Sequence, residues 1–465
     1  MLNPNIFREY DIRGIVNKDF EPKDARKIGK AFGTIIQEIS GKNLIIGHDN
    51  RFTSDSISAY FIDGVLSTGC NVIDCGLALR PVIQTAILED GFSGGALITG
   101  SHNPPAYNGI KFMTQEGLPV FGDSIIKIKD LCFSKKFKKG SGNVEHTDLK
   151  ELYLKKITPK FNLGKGARVV IDCGNGTASK YAPSIFRALG IKVISLYCNL
   201  HGSYPYHTPN PEARVNTLDL SQKVKETEAD VGLAFDTDGD RFGIVDEEGN
   251  HHENDRTLVL LAKHVLEKNP GAKILYDIKS SQILRTEIRK AGGVPIMMRT
   301  GHPFFQARMK KDPEILLGGE LSGHTMYREN NCFDDGIYAA AKLVELATHT
   351  NPPLSKTYEK LPKTFNTPEI KVPCPDQKKF NIVQEMKEMY KSHYDIFEAD
   401  GLRILFSKSC WALIRASHTT PALSLRFEAN DKKELKKLIE DVKKNLEKYP
   451  ELGLDQVNLF IEAGK

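Results

Sequence analysis

Short apolar runs alternate with stretches of helical periodicity along most of this chain, and that alternation restricts the fold to parallel or mixed sheets covered by helices. The pattern predicts strands over residues 44–47, 71–75, 96–99, 168–173, 192–196, 231–235, 273–276, 294–298 and 315–317. Helices are expected between them over 24–38, 179–189, 256–267 and 280–291. From residue 363 onward the pattern changes to strands at 404–406, 412–415 and 423–428 and a Lys/Glu-rich helix at 431–448, which reads as a small α+β unit. A chain of 465 residues is too long for one core. Turn-rich or charged interruptions at 135–143, 246–254, 351–353 and 362–368 divide it into 1–148, 149–252, 253–362 and 363–465. No internal repeat is visible in the sequence.

Composition excludes several classes. Apolar and charged fractions of 40% and 26% belong to an ordinary globular protein. A net charge of +5, with lysines dispersed or lying on helical faces such as 432–448, gives no nucleic-acid footprint. The eight cysteines show no Cys-x-x-Cys spacing, and several lie in strand-like runs, so reduced buried thiols are expected rather than a zinc site or disulfides. The N-terminus lacks a basic region followed by an apolar one, and no apolar run reaches membrane-spanning length. The expectation is a cytoplasmic protein without membrane or nucleic-acid partners, a monomer or a dimer.

Four loops carry the chemistry. Ser101 lies in Thr99-Gly100-Ser101-His102-Asn103-Pro104-Pro105, a turn directly after a buried strand, which predicts an exposed hydroxyl at a strand's C-terminal end, where α/β sheets place ligands. Asp236, Asp238 and Asp240 alternate after the strand at 231–235, and three carboxylates so spaced can converge on a hard divalent cation. An EF-hand is excluded because Arg241 stands where that loop needs glycine and because apolar residues 242–245 make the flank a strand; a solvated acidic turn is the bland alternative. Gly319-Glu320-Leu321-Ser322-Gly323-His324 offers hydrogen bonds suited to vicinal hydroxyls, or is a plain polar turn. It lacks, as does the Ser101 turn, the Gly-x-Ser-x-Gly elbow of a serine hydrolase. Arg415-Ala416-Ser417-His418-Thr419-Thr420-Pro421 brings a guanidinium, hydroxyls and backbone amides together, which suits a phosphate dianion. A serine, a metal triad, a polyol reader and a phosphate cradle together fit phosphoryl transfer through a phosphoserine.

These residues, with Tyr10-Asp11-Ile12-Arg13-Gly14 and Asp172-Cys173-Gly174-Asn175-Gly176, closely resemble the α-D-phosphohexomutase superfamily and, within it, the bacterial phosphomannomutase/phosphoglucomutase branch. The resemblance covers essentially the whole chain. It implies three related mixed-sheet α/β domains and a C-terminal α+β domain around a central cleft. It implies that Ser101 carries the phosphoryl group and, with Asp236, Asp238 and Asp240, binds Mg²⁺. Arg13 and Lys111 would lie near the transferred group, with Lys111 or His102 as general base or acid. Tyr10, Arg241, Lys279, Gly301 and His302 would line the sugar site with His324, and Glu320 and Ser322 would bind the 3- and 4-hydroxyls. Arg415, Ser417, His418, Thr419 and Thr420 would hold the phosphate that is not transferred. His418 departs from the asparagine frequent in this branch, which would add pH dependence to phosphate binding. The implied reaction moves phosphate between the 1- and 6-positions of mannose or glucose phosphates through a hexose 1,6-bisphosphate. The alternatives are a phosphoglucosamine mutase and a catalytically silent sugar-phosphate binding protein.

Overall fold

Four sheets organise the chain in a computed structural model that describes residues 2–163, 166–349, 352–417 and 420–463. Across the first sheet the strands Asn71–Leu77, Asn43–His48, Gly94–Ile98 and Tyr107–Thr114 are neighbours in that order. The same order recurs as Lys192–Leu196, Arg168–Asp172, Val231–Phe235 and Phe242–Asp246 in the second sheet. It recurs again as Val294–Met298, Lys273–Asp277, Ile315–Gly319 and Thr325–Tyr327 in the third. In each set the first three strands are parallel and the fourth is antiparallel. The Ser101 turn, the acidic loop and the Glu320 loop are therefore the same connection in three sheets, from the third parallel strand into the antiparallel one. The shared topology is the repeat that the sequence does not display.

Strands such as Gly94–Ile98 and Val231–Phe235 are buried along their whole length. Their continuous apolar runs are what a strand with both faces covered requires. The predicted strands are present with ends shifted by a residue or two. The predicted helix at 179–189 begins later, at Ala182, where Pro183 fits the first turn, and a short 3₁₀ turn over Thr177–Lys180 precedes it. Ile12–Ile15, Tyr107–Thr114 and the helices Ser54–Leu66 and Arg80–Asp90 escape the periodicity. Tyr107–Thr114 does so because it buries Asn108, Gly109 and Lys111 among its apolar residues.

One apolar core runs without a break from Ile45 and Val82 through Val169 and Leu233 to Leu258 and Tyr338, and so joins the first three sheets. The fourth sheet, antiparallel and centred on Trp411–Ala416 and Ala422–Ala429, has a core of its own with the helices Lys379–Tyr390 and Lys432–Leu446. It meets the third unit through a small apolar cluster of Ile278, Trp411 and Leu413 and through buried arginines. Arg403 donates to the carbonyls of Ile278 and Ser280, and Arg426 to that of Lys279 and to Glu253. The stretch at 135–143 is tied back to the first unit, with the amides of Gly140 and Gly142 donating to Ser67 and Leu66, before Val144–His146 adds an edge strand. The eight cysteines are free thiols, and all but Cys198 are buried. No helix among the described residues is long and apolar enough to cross a membrane.

Candidate active site

The Ser101 turn is built by an ion pair from outside it. Asp49 and Arg51, both wholly buried, lie 3.1 Å apart just after the strand Asn43–His48. Arg51 donates to the carbonyls of Ser101, Asn103, Pro104 and Tyr107 at 2.7–3.0 Å. Asp49 accepts from the Thr99 hydroxyl and the Gly100 amide. This frame holds Ser101 in the left-handed region at φ 50°, a conformation that costs a non-glycine residue about 1–2 kcal/mol. It also corrects the expected exposure: Ser101 is fully buried, because the turn folds beneath the cleft instead of projecting from it. Its Oγ lies 3.2 Å from Asp236 Oδ2 and 3.2 Å from His102 Nδ1.

The acidic loop is buried too. Lys111, on the strand Tyr107–Thr114, reaches Oδ2 of both Asp238 and Asp240 at 2.6 Å. The other oxygens, Oδ1 of Asp238 and of Asp240, are buried without a hydrogen-bond partner. Burial and the adjacent Asp238 and Asp240 push the Asp236 carboxyl well above its usual range. Burial also opposes charge on Asp240, yet the positive charges of Lys111 and Arg80 hold it well below that range. Unclaimed oxygens on clustered carboxylates, one of them resisting ionisation, fit a hard divalent cation. A second cluster, His302, His324 and Asp334, already has the Arg80 guanidinium against Asp334 and 3.1 Å from His302 Nδ1.

The third loop is joined to the second by a backbone bridge between Arg241 and His324. Arg241 Nε donates to His324 Nε2 at 2.9 Å, so the proton of this neutral imidazole sits on Nδ1, 2.9 Å from Asp334 Oδ2. Glu320 accepts from the Gly301 amide at 2.7 Å, and Gly301, at φ 127°, takes a conformation that favours glycine. Burial and the Asp277 carboxylate push the Glu320 carboxyl up to about 7. An acid whose folded pKa is raised carries no penalty below its unfolded value near 4.5 and loses stability as pH rises toward 7. Thermal melts of Glu320→Gln are therefore expected to show a flatter decline between pH 4.5 and 7 than those of the parent; parallel curves would contradict this.

In the fourth loop, Arg415 Nε is held by Asp400 at 2.6 Å. Lys379 Nζ, at 2.5 Å from the Ser417 carbonyl and 3.2 Å from that of Thr420, fixes the loop from below. His418 and Thr419 lie outside the described residues.

The four loops surround one cavity of about 490 Å³. It is lined by Tyr10, Arg13, His102, Lys111, Arg241, Lys279, Gly301, His302, Glu320, Ser322, His324, Arg415 and Thr420 from the expected set. Ser101 and the three aspartates lie in the layer behind this lining, and Ser417 faces Thr420 across a 2.8 Å hydrogen bond. Arg13 is aimed by Asn103 and Asp11, and the Tyr10 ring meets that of His302 edge-on. Sequence reasoning passed over Asp49, Arg51, Arg80, Glu369 and Asp400. The first pair had a signal, since charged residues directly follow a buried strand in Gly47-His48-Asp49-Asn50-Arg51. Glu369 had none; its role beside Lys279, at 3.1 Å, arises from contact between the third and fourth units.

Four family descriptions match the chain in succession. "Phosphoglucomutase/phosphomannomutase, alpha/beta/alpha domain I" covers residues 4–139, domain II covers 151–249, domain III 253–365 and the C-terminal domain 369–445. The chain is 38% identical to a phosphomannomutase/phosphoglucomutase of Pseudomonas aeruginosa over 94% of each chain. It is 35% identical to a phosphoglucomutase of Neisseria meningitidis over 96% of this chain and 98% of that one. A solved phosphoglucomutase/phosphomannomutase family protein of Burkholderia thailandensis superposes with a TM-score of 0.89 at 33% identity, covering 96% of this chain and 98% of that one. With all four domains matched in order and full-length relatives above 30% identity, the chain belongs to the phosphoglucomutase/phosphomannomutase family.

Proposed function

We propose that the protein is a phosphohexomutase that moves phosphate between the 1- and 6-positions of glucose or mannose phosphates through a phosphoserine at Ser101 and a hexose 1,6-bisphosphate. The observation that carries this reading is the placement of Ser101 Oγ 3.2 Å from both Asp236 and His102, directly behind the wall of a cleft lined by His102, Glu320, Ser322 and Arg415. Asp236, Asp238 and Asp240 would hold Mg²⁺, which when bound would neutralise phosphate oxygens. Lys111 and Arg13 add fixed positive charge for the transferring group.

Burial, with Arg241, Arg13 and Lys111 nearby, holds the His102 imidazole well below its usual range, so it is neutral near pH 7. A neutral Nδ1 in contact with Ser101 Oγ can take the serine proton when phosphate returns and give it back on transfer. Lys111 is committed to two carboxylates, and this favours His102 over Lys111 as the acid–base group. Glu320 and Ser322 would read sugar hydroxyls that glucose and mannose share, and the intermediate would turn between fixed readers and a fixed distal phosphate site.

Arg415, with Ser417 and Thr420, would form that distal site, where losing a charge-assisted contact costs ~1.5–3 kcal/mol. Arg415→Ala is expected to raise KM, lower kcat and release more 1,6-bisphosphate per turnover, with Ser101 phosphorylation intact. Unchanged KM and unchanged bisphosphate release would reduce this loop to a turn. The reading as a whole is tested by assaying 6-phosphate formation from glucose, mannose and glucosamine 1-phosphates in parallel. A preference for the glucosamine ester would make the enzyme a phosphoglucosamine mutase, and no turnover of any ester would leave a binding protein.

A further inference from the structure

Arg80 has no place in the reaction as described, yet it is one of the largest side chains with almost no exposure. It opens the helix Arg80–Asp90 of the first unit, and its backbone amide donates to the Asp238 carbonyl at 3.0 Å. Its guanidinium then divides among groups from two other units. Nε lies 2.9 Å from Asp240 Oδ2, one terminal nitrogen meets Asp334, and the other lies 3.1 Å from His302 Nδ1. Asp334 in turn faces His324 and accepts from Gln306. Leu79, the preceding residue, packs against Gly239 so closely that a Cβ there would meet it at 2.8 Å. The first unit thus grips the acidic loop by a backbone bond, a side-chain contact and a charge, and the same charge continues to the helix and loop that line the sugar side.

A buried guanidinium is costly unless its partners are fixed. Arginine is suited to such a junction because its planar fork spreads its donors over three nitrogens and so spans acceptors farther apart than the single nitrogen of an ammonium reaches. Lys111 and Arg80 both meet Oδ2 of Asp240, and this leaves Oδ1 as the unclaimed oxygen. Arg80 therefore orients Asp240 and also competes electrostatically with any cation the loop binds.

We propose that Arg80 is a positioning residue that locks the cation loop and the sugar side of the third unit onto the first unit and limits the cation affinity of the acidic loop. The proposal rests on the mutase reading for its kinetic consequence, but its structural part does not. Arg80→Met removes the charge and the fork while keeping an unbranched apolar stem, and Lys111 still holds Asp240. Magnesium titration of the purified variant by calorimetry is expected to show binding tighter by about three- to tenfold, because a repelling charge is gone. Its kcat is expected to fall by roughly tenfold or more with KM changed less, because the reacting groups lose their alignment. Arg80→Lys restores the charge without the fork, so Mg²⁺ affinity should return toward the parent value while kcat stays low. Hydrogen exchange at the amides of 236–241 and 334–335, measured without metal, should be faster in both variants.

Parent-like exchange and kcat in both variants would overturn the proposal. So would weaker Mg²⁺ binding in Arg80→Met together with a general loss of thermal stability, the signature of a packing role. If Arg80→Met does not fold, Arg80→Lys decides: slow turnover with near-parent Mg²⁺ affinity supports the proposal, and parent-like turnover and exchange reject it. If the parent protein turns over no hexose phosphate, the mutase reading fails by itself, and Mg²⁺ affinity and exchange still decide the role of Arg80.

Discussion

Ser101→Ala is expected to lower mutase turnover by on the order of 10³-fold or more, because it removes the atom that carries the phosphoryl group between the two half-reactions. The fold should be unaffected. The turn is held by Arg51 through carbonyl oxygens and by Asp49 through Thr99 and Gly100, and none of these contacts uses the Ser101 hydroxyl. Intact mass should show a phosphorylated fraction in the parent that the variant lacks, and peptide mapping should place the phosphate on Ser101. A variant with near-parent turnover would refute the phosphoserine mechanism. Because Ser101 is buried, loss of that phosphate to water should be slow without substrate, which the same mass measurement can follow over time.

Chelation should have an effect of similar size. Asp236, Asp238 and Asp240 converge with two buried oxygens unclaimed, and a phosphoserine would add a dianion beside them. Without a divalent cation, Lys111, Arg80 and Arg241 are left to balance both the three carboxylates and that phosphate. EDTA is therefore expected to abolish turnover, and added Mg²⁺ to restore it. Asp238→Asn should weaken Mg²⁺ binding, read by calorimetry, while far-UV circular dichroism stays at the parent value. Full turnover in chelator would remove the cation from the mechanism.

Much of this site was legible in the residues. The acidic loop, the Ser101 turn and the Glu320 loop each follow an apolar run too uniform to be a surface strand, and that local signal placed them at strand ends. The C-terminal unit was legible as well, since its alternating strands and its amphipathic helix at 432–446 are properties of neighbouring residues.

Tertiary structure decided the rest, because it depends on groups far apart in the chain. Burial of Ser101 follows from an ion pair fifty residues away in sequence, between Asp49 and Arg51. Lys111 meets Asp238 and Asp240 of another unit, a pairing that its place in the sequence does not announce. Arg80 shows the limit most clearly. In sequence it is one arginine before a proline at a helix start; in space it joins Asp240, Asp334 and His302. Strand and helix patterns arise from side chains a few positions apart, so local periodicity records them. A desolvated charge is set by whatever the fold brings beside it, and no local pattern of residues encodes that.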